Sequence, residues 1–278
     1  MSFRELLDVP FAVIQANILV LAGFGAAVLV TAEAGVLAAT AAGSALTDGA
    51  DAGTTWSAVL STAFAILLLR CVLRGVTVPI GLAAVAGTRL GWTGALAASG
   101  ARLHPLLIFQ LMFSLIGLGL LALGGGLLFT LPWIGALGSA VIVLTFFTLP
   151  AALVWLGSLR ASRFLTVPAI FAEQADYTTA VARSKLLTAG TGRSITGLYL
   201  TQRCLLVLLA VPLLGVPLYL SDFSGTHRWA VIALITSGVL LIAVFGEIVE
   251  STTRVVSYVD LRCRREGMDI RIPDVERR

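Results

Sequence analysis

The chain has 278 residues, of which 58% are hydrophobic and 12% charged, and its mean hydropathy is +0.98. Soluble globular domains carry about 25% charged residues, so this composition excludes one and indicates an integral membrane protein. Nineteen basic against fifteen acidic residues leave a formal charge of +4; the basic residues lie between apolar runs rather than on one amphipathic face, which argues for anchoring at a membrane surface and against nucleic acid.

A membrane span needs about 20 predominantly apolar residues. Six runs qualify in chain order: Phe11 to Ala32, Ser57 to Pro79, Leu106 to Phe129, Trp133 to Trp155, Leu198 to Leu220 and Trp229 to Val249. They are continuously apolar rather than alternating, which predicts helices and not a barrel. The expected fold is an all-α bundle of six transmembrane helices within residues 1–270, with a charged cytoplasmic extension and tail over 251–278. Thr31-Ala-Glu-Ala34 has the small residues of a signal-cleavage site, but Arg4 is offset by Glu5 and Asp8. A secretory leader has a basic start, so the first helix is expected to be retained.

Loop charge sets the orientation. Residues Gly43 to Trp56 contain Asp48 and Asp51 without Arg or Lys, and Leu131-Pro-Trp-Ile-Gly135 is uncharged, so both read as external. Arg89 and Arg102 follow the second run, and Arg160, Arg163, Arg183, Lys185 and Arg193 follow the fourth. Those connections, the Arg-rich tail and, by parity, the N-terminus read as cytoplasmic, with the chain in the plasma membrane. Arg228 in the last external loop is the exception, with Asp222 nearby.

The two long cytoplasmic connections resemble each other. Thr77-Val-Pro79 followed by Trp92-Thr-Gly-Ala-Leu-Ala-Ala-Ser99 parallels Thr166-Val-Pro168 followed by Tyr177-Thr-Thr-Ala-Val-Ala-Arg-Ser184. Each copy follows a descending span and precedes a rising one, which predicts a parallel repeat. The second block of each reads as a short amphipathic helix in the inner interface. In the second copy Tyr177, Ala180, Val181 and Leu187 share a face, and Asp176 is placed to cap the helix. Phe3 to Phe11 is a weaker third copy.

Arg70 and Arg74 lie four residues apart in the cytoplasmic half of the second run, where an arginine is costly unless it is paired or snorkels. Glu247 and Glu250 in the sixth run are acids at similar depth, so an Arg-Glu pairing between these two spans is expected. Glu250 and Arg254 suit an i,i+4 pair along their own helix. These five residues form a candidate intramembrane charge cluster, read first as an interhelical lock and second as a relay for protons or substrate. Glu33 is expected near the outer interface. Beyond them Tyr258, Asp260, Arg262, Arg264, Arg265, Glu266 and Asp269 form a mixed-charge candidate docking tail, suited to a partner, self-docking or anionic lipids.

No catalytic constellation emerges. Cys71, Cys204 and Cys263 have no metal-ligand spacing, and His104 and His227 fall on opposite sides of the expected membrane. Gly190-Thr-Gly-Arg-Ser194 lacks the lysine and preceding strand of a phosphate loop. Gly124-Gly-Gly126 is expected to loosen the third span, and Pro79, Pro150, Pro212 and Pro217 to mark kinks or helix ends. The chain is accordingly expected to be non-enzymatic, with no cofactor or metal.

Two segments carry a family resemblance: Val167-Pro-Ala-Ile-Phe-Ala-Glu173 with Ala180-Val-Ala-Arg-Ser-Lys-Leu-Leu187, and Tyr258-Val-Asp-Leu-Arg-Cys-Arg-Arg-Glu-Gly-Met-Asp-Ile270. They resemble actinobacterial polytopic membrane proteins similar to the membrane domain of glycerophosphoryl diester phosphodiesterases. Gln174 stands where that pattern usually has Gly after the glutamate. The resemblance implies a non-catalytic membrane domain; phosphodiesterase activity would require a separate soluble domain, and eight residues follow Ile270. Lys185 as the sole lysine, with abundant alanine, accords with a GC-rich source. The leading expectation is a scaffold or accessory subunit of a membrane complex with an unidentified protein partner; the alternative is a transporter or lipid-handling protein using the charge cluster.

Overall fold

The computed structural model describes residues 3–112, 114–115, 154–155, 157–224 and 228–267. The described residues are helical, without strands: α1 Phe3–Ala16, α2 Ile18–Leu46, α3 Asp51–Val85, α4 Trp92–Ala101, α5 Leu103–Met112, α6 Thr166–Ala172, α7 Tyr177–Thr188, α8 Gly192–Ser224 and α9 Arg228–Glu266. Among the described residues four helices are long and apolar enough to cross a membrane: α2, α3, residues Gly192–Tyr219 of α8, and α9. The third and fourth expected spans fall largely outside the described residues, as do Gly124–Gly126, the Leu131–Gly135 turn and Pro150.

The expected first span divides in two. The helix from Phe3 ends at Ala16, and a new one runs from Ile18 to Leu46. Asn17 makes the break: its backbone leaves the helical region at φ −122°, ψ 22°, and its side-chain amide donates to the Val13 carbonyl at 3.0 Å. Asparagine favours such local bonds over helix continuation. The shift moves Glu33 from the outer end of a span to the middle of α2.

The external loop expected over 43–56 is mostly helix. α2 and α3 are joined by residues 47–50, with Asp48 and Gly49 at φ 50° and 75° and the Gly49 amide closing on the Ser44 carbonyl at 2.8 Å. The Ser44 and Thr54 hydroxyls meet across the hairpin at 2.8 Å. Gly43 permits the approach, because a Cβ there would lie 2.0 Å from Ser57 Oγ. α3 also continues through Pro79 to Val85, so this proline bends no span to a close.

α9 is the centre of the molecule, packing on α1, α2, α3 and α8 and, at its C-terminal end, on α6 and α7. Its 39 residues extend about 58 Å, roughly twice the hydrocarbon thickness. Every residue from Gly246 to Tyr258 is buried, more than three turns, so other elements cover all its faces there. On α3 the run Leu73 to Gly81 is likewise buried. In the membrane-spanning part, Leu69, Leu73, Val244 and Ile248 share one apolar core with Leu21 and Val36 of α2. Nearer the basic end, Val78, Val167 and Val255 form a second core with Leu106 and Phe109. A third joins Phe164, Ile170, Ala180 and Leu187 to Tyr258 and Leu261. Leu19, Leu60, Phe64, Leu208 and Val211 project outward, as lipid-facing side chains do.

Candidate functional site

The charge cluster lies where the buried runs of α3 and α9 meet. Arg74 donates from Nε to Glu247 Oε1 at 2.7 Å and from Nη2 to Oε2 at 2.9 Å, a two-pronged pair. Its Nη1 donates to Gln110 Oε1 on α5 at 2.9 Å, and Ser251 Oγ donates to Glu247 Oε1 at 3.1 Å. Glu247 is fully buried and Arg74 is 3% exposed. Arg70, one turn from Arg74, lies 3.5 Å from Glu247 Oε2 without forming a hydrogen bond.

One turn further along α9, Glu250 is also buried. It accepts from Arg254 on its own helix and from Arg203 on α8. The Arg254 guanidinium is 5.4 Å from the centre of the Phe109 ring and 5.2 Å from that of Phe164, while Arg74 approaches Phe109 at 5.2 Å. Aromatic faces offset part of the cost of holding a guanidinium away from water. Arg160 donates to the Tyr199 hydroxyl at 2.5 Å, and both Arg160 and Arg203 lie against the Tyr199 ring. Gln202 donates to the Thr253 hydroxyl at 2.6 Å, adding a neutral tie between α8 and α9.

The structure thus brings together Arg70, Arg74, Glu247, Glu250 and Arg254, and adds Arg203, Arg160, Tyr199 and Gln110. Arg203 was legible as another charge inside an apolar run, at 203 within Leu198 to Leu220. Gln110 and the ring partners carried no signal of their own, since Phe109 and Phe164 are ordinary residues of apolar segments. Glu33 accepts from Thr236 at 2.7 Å, which ties α2 to α9 apart from the cluster.

The charged C-terminal segment is a continuation of α9 through Glu266 rather than a free tail. Leucine, arginine and glutamate are good helix formers, and the buried run before it already nucleates the helix. Tyr258 donates to Glu173 Oε1 at 2.8 Å, and Arg183 on α7 donates to the same oxygen at 2.8 Å and also to Glu266. Arg262 pairs with Glu266 at 2.7 Å, Arg264 with Asp260 at 3.2 Å, and Arg265 donates to the Ala189 carbonyl. The bonds to Glu173, Arg183 and Ala189 clamp the end of α9 to the end of α6, to α7 and to the turn after it, while Arg262–Glu266 and Arg264–Asp260 lie within α9. Asp269 lies outside the described residues.

Partial burial raises the Glu173 carboxyl, but hydrogen bonds from Arg183 and Tyr258 outweigh it and hold the group below the usual carboxylate value. Asp176 caps α7: its carboxylate accepts from the Thr178 hydroxyl at 2.6 Å and the Thr179 amide at 3.3 Å, bonds that depress its pKa.

No family model, curated protein or solved structure matches the chain.

Proposed function

We propose that the chain is a non-enzymatic, multi-pass protein of the plasma membrane that serves as a scaffold or accessory subunit of a membrane complex. Six spans place both ends on the cytoplasmic side in this reading, so the layer formed by α6, α7 and the end of α9 faces the cytoplasm and a protein partner. The observation that carries it is the closure of the Arg74–Glu247 side of the charge cluster. Glu247 is fully buried, with both oxygens taken by Arg74 and one also by Ser251. A carboxylate held this way is suited to locking two helices, whereas a relay needs a group that exchanges partners or meets water. The roomy cleft between α2 and α3, about 610 Å³, is lined by residues such as Ala27, Val36, Phe64 and Leu68, and touches none of the five clustered charges.

The internal repeat belongs to this proposal. In one copy Ser99 Oγ donates to the Gly75 carbonyl, just before Thr77-Val-Pro79. In the other Ser184 Oγ donates to the Ser162 carbonyl and accepts from the Leu165 amide, just before Thr166-Val-Pro168. Ala95 and Ala180 are both fully buried, and Val78 and Val167 pack together on Val255. Matching serines that each bond the chain shortly before a Thr-Val-Pro support two copies of one unit. The two segments that carry the likeness to glycerophosphoryl diester phosphodiesterase membrane domains meet through Glu173, Arg183, Tyr258 and Glu266.

The test is crosslinking in native membranes followed by purification of the full chain, compared with a variant carrying Leu186→Asp and Arg264→Glu on the exposed cytoplasmic layer. A scaffold yields a defined set of co-purifying proteins that the variant loses while melting like the wild type. A chain that purifies alone from crosslinked membranes contradicts it. A lipid-handling role is the second reading, favoured by the excess of arginine over glutamate in the cluster.

A further inference from the structure

We propose that Arg70 and Arg203, backed by Arg254, form a binding site for a phosphate-bearing anion at the basic end of the membrane-spanning bundle. The inference is independent of whether the chain scaffolds or transports. It starts from charge. Arg70, Arg74, Arg203 and Arg254 surround Glu247 and Glu250, so two of the four positive charges have no carboxylate of their own. Arg74 occupies both oxygens of Glu247, and Arg203 and Arg254 divide Glu250 between them.

Donors are left over as well. Among the described residues Arg70 Nε has no hydrogen-bond partner, and neither have Nε and Nη1 of Arg254, a side chain only 2% exposed. Guanidinium groups that share a counter-charge in an apolar bundle and keep unbonded donors are costly, and the tight pairing of Arg74 shows what a satisfied one looks like here. The missing partner is an anion.

Position and shape narrow its class. Glu247 and Glu250 stand one turn apart on α9, so Arg70 beside the first and Arg203 on the second flank a common region. Their side chains are 23% and 28% exposed, which leaves this side of the cluster open where the Arg74 side is closed. From Trp229, a residue type that favours the membrane interface, to Glu250 the helix rises about 32 Å, roughly the hydrocarbon thickness. The open side therefore lies at the level of headgroup phosphates. Phosphate presents several oxygens to forked guanidinium donors, and its charge offsets the surplus.

The source is either an anionic phospholipid or soluble phosphate, and one experiment separates them. The purified full chain is placed in phosphatidylcholine nanodiscs, and its melting temperature is followed by tryptophan fluorescence as phosphatidylglycerol replaces phosphatidylcholine or as inorganic phosphate is added. A saturable rise with phosphatidylglycerol assigns the headgroup; a rise with inorganic phosphate in phosphatidylcholine discs assigns the soluble anion. In either case Arg70→Gln with Arg203→Gln raises the half-saturating concentration about a hundredfold, the loss of two charge-assisted contacts at about tenfold each. Arg264→Gln with Arg265→Gln leaves it unchanged. Glu247 and Glu250 keep Arg74 and Arg254 in the double variant; should it fail to fold, Arg70→Gln alone, with bound phosphatidylglycerol counted by native mass spectrometry, reads the same site. No rise with either anion overturns the proposal, as does a rise that survives loss of Arg70 and Arg203 but disappears with Arg264 and Arg265.

Discussion

Arg74 on α3 and Glu247 on α9 are 173 positions apart in sequence, yet they meet through two parallel hydrogen bonds with neither side chain more than 3% exposed. The pair fixes the register of the two helices that carry the longest buried runs. Removing one member leaves the other charged, buried and uncompensated, which costs about 3–5 kcal/mol in comparable settings. Glu247→Gln should therefore lower the melting temperature of the purified chain in detergent and reduce its accumulation in membranes. Melting unchanged from wild type would mean that Arg74 finds another partner and that the pair is not a lock.

The clamp at the end of α9 gives a pH dependence. Hydrogen bonds from Arg183 and Tyr258 depress the Glu173 pKa in the folded protein below its ordinary value of 4.5. A carboxylate with a lowered folded pKa binds more protons when unfolded. Its contribution is therefore fully present above about 4.5 and is lost as pH falls through the folded value. Protease cleavage between α6 and α7 should accelerate on acidification through that window, and Glu173→Gln should cleave readily at neutral pH and respond less to acid. Equal acid sensitivity in wild type and variant would assign the transition to other carboxylates.

The α2–α3 hairpin depends on a missing side chain. A Cβ at Gly43 would lie 2.6 Å from Ser57 Cβ as well as 2.0 Å from its hydroxyl, so rotation of the serine cannot relieve the clash. Gly43→Ala should cost about 1–3 kcal/mol by overpacking. Adding Ser57→Gly should recover most of the loss in the same melting assay. A lone Gly43→Ala that melts like the wild type would mean the hairpin opens freely.

Ser99 and Ser184 occupy matching positions but are not equally placed. Ser184 is buried and accepts from the Leu165 amide as well as donating. Ser184→Ala strands that amide, at a cost of about 1–3 kcal/mol, whereas Ser99→Ala removes only a donor. Thermal melting should rank Ser184→Ala below Ser99→Ala. The reverse order would show that the Ser99 contact carries more of the packing of α4 on α3.

Much of the cluster was legible because a charge inside an apolar run has few physical resolutions. Arg70 and Arg74 at i,i+4 share a face, and Glu247 and Glu250 lie at matching depth, which is enough to bring α3 and α9 together. Arg203 was equally visible as a lone charge in its run, but nothing in sequence said that it would reach Glu250 rather than snorkel. Phe3 to Phe11 read as a short helix ahead of the first span, but its end was hidden because hydropathy is continuous across Asn17, whose side-chain bond to Val13 ends one helix and admits the next. The mixed charges after Tyr258 suggested a docking segment without saying what it docks on; the partners Arg183 and Ala189 come from a distant helix and its following turn, and only folding brings them near.

The most direct test of the structural lock replaces it with an apolar pair of similar size. Arg74→Met with Glu247→Met removes both charges together, and Arg70 at the open side keeps access to its surroundings. Melting and co-purifying proteins from crosslinked membranes are measured on this double variant beside wild type and Glu247→Gln. A lock predicts that the double variant melts at or above the wild type, well above Glu247→Gln, and retains the same co-purifying set. A double variant that melts like the wild type but loses that set would contradict it, placing the charges themselves in the function.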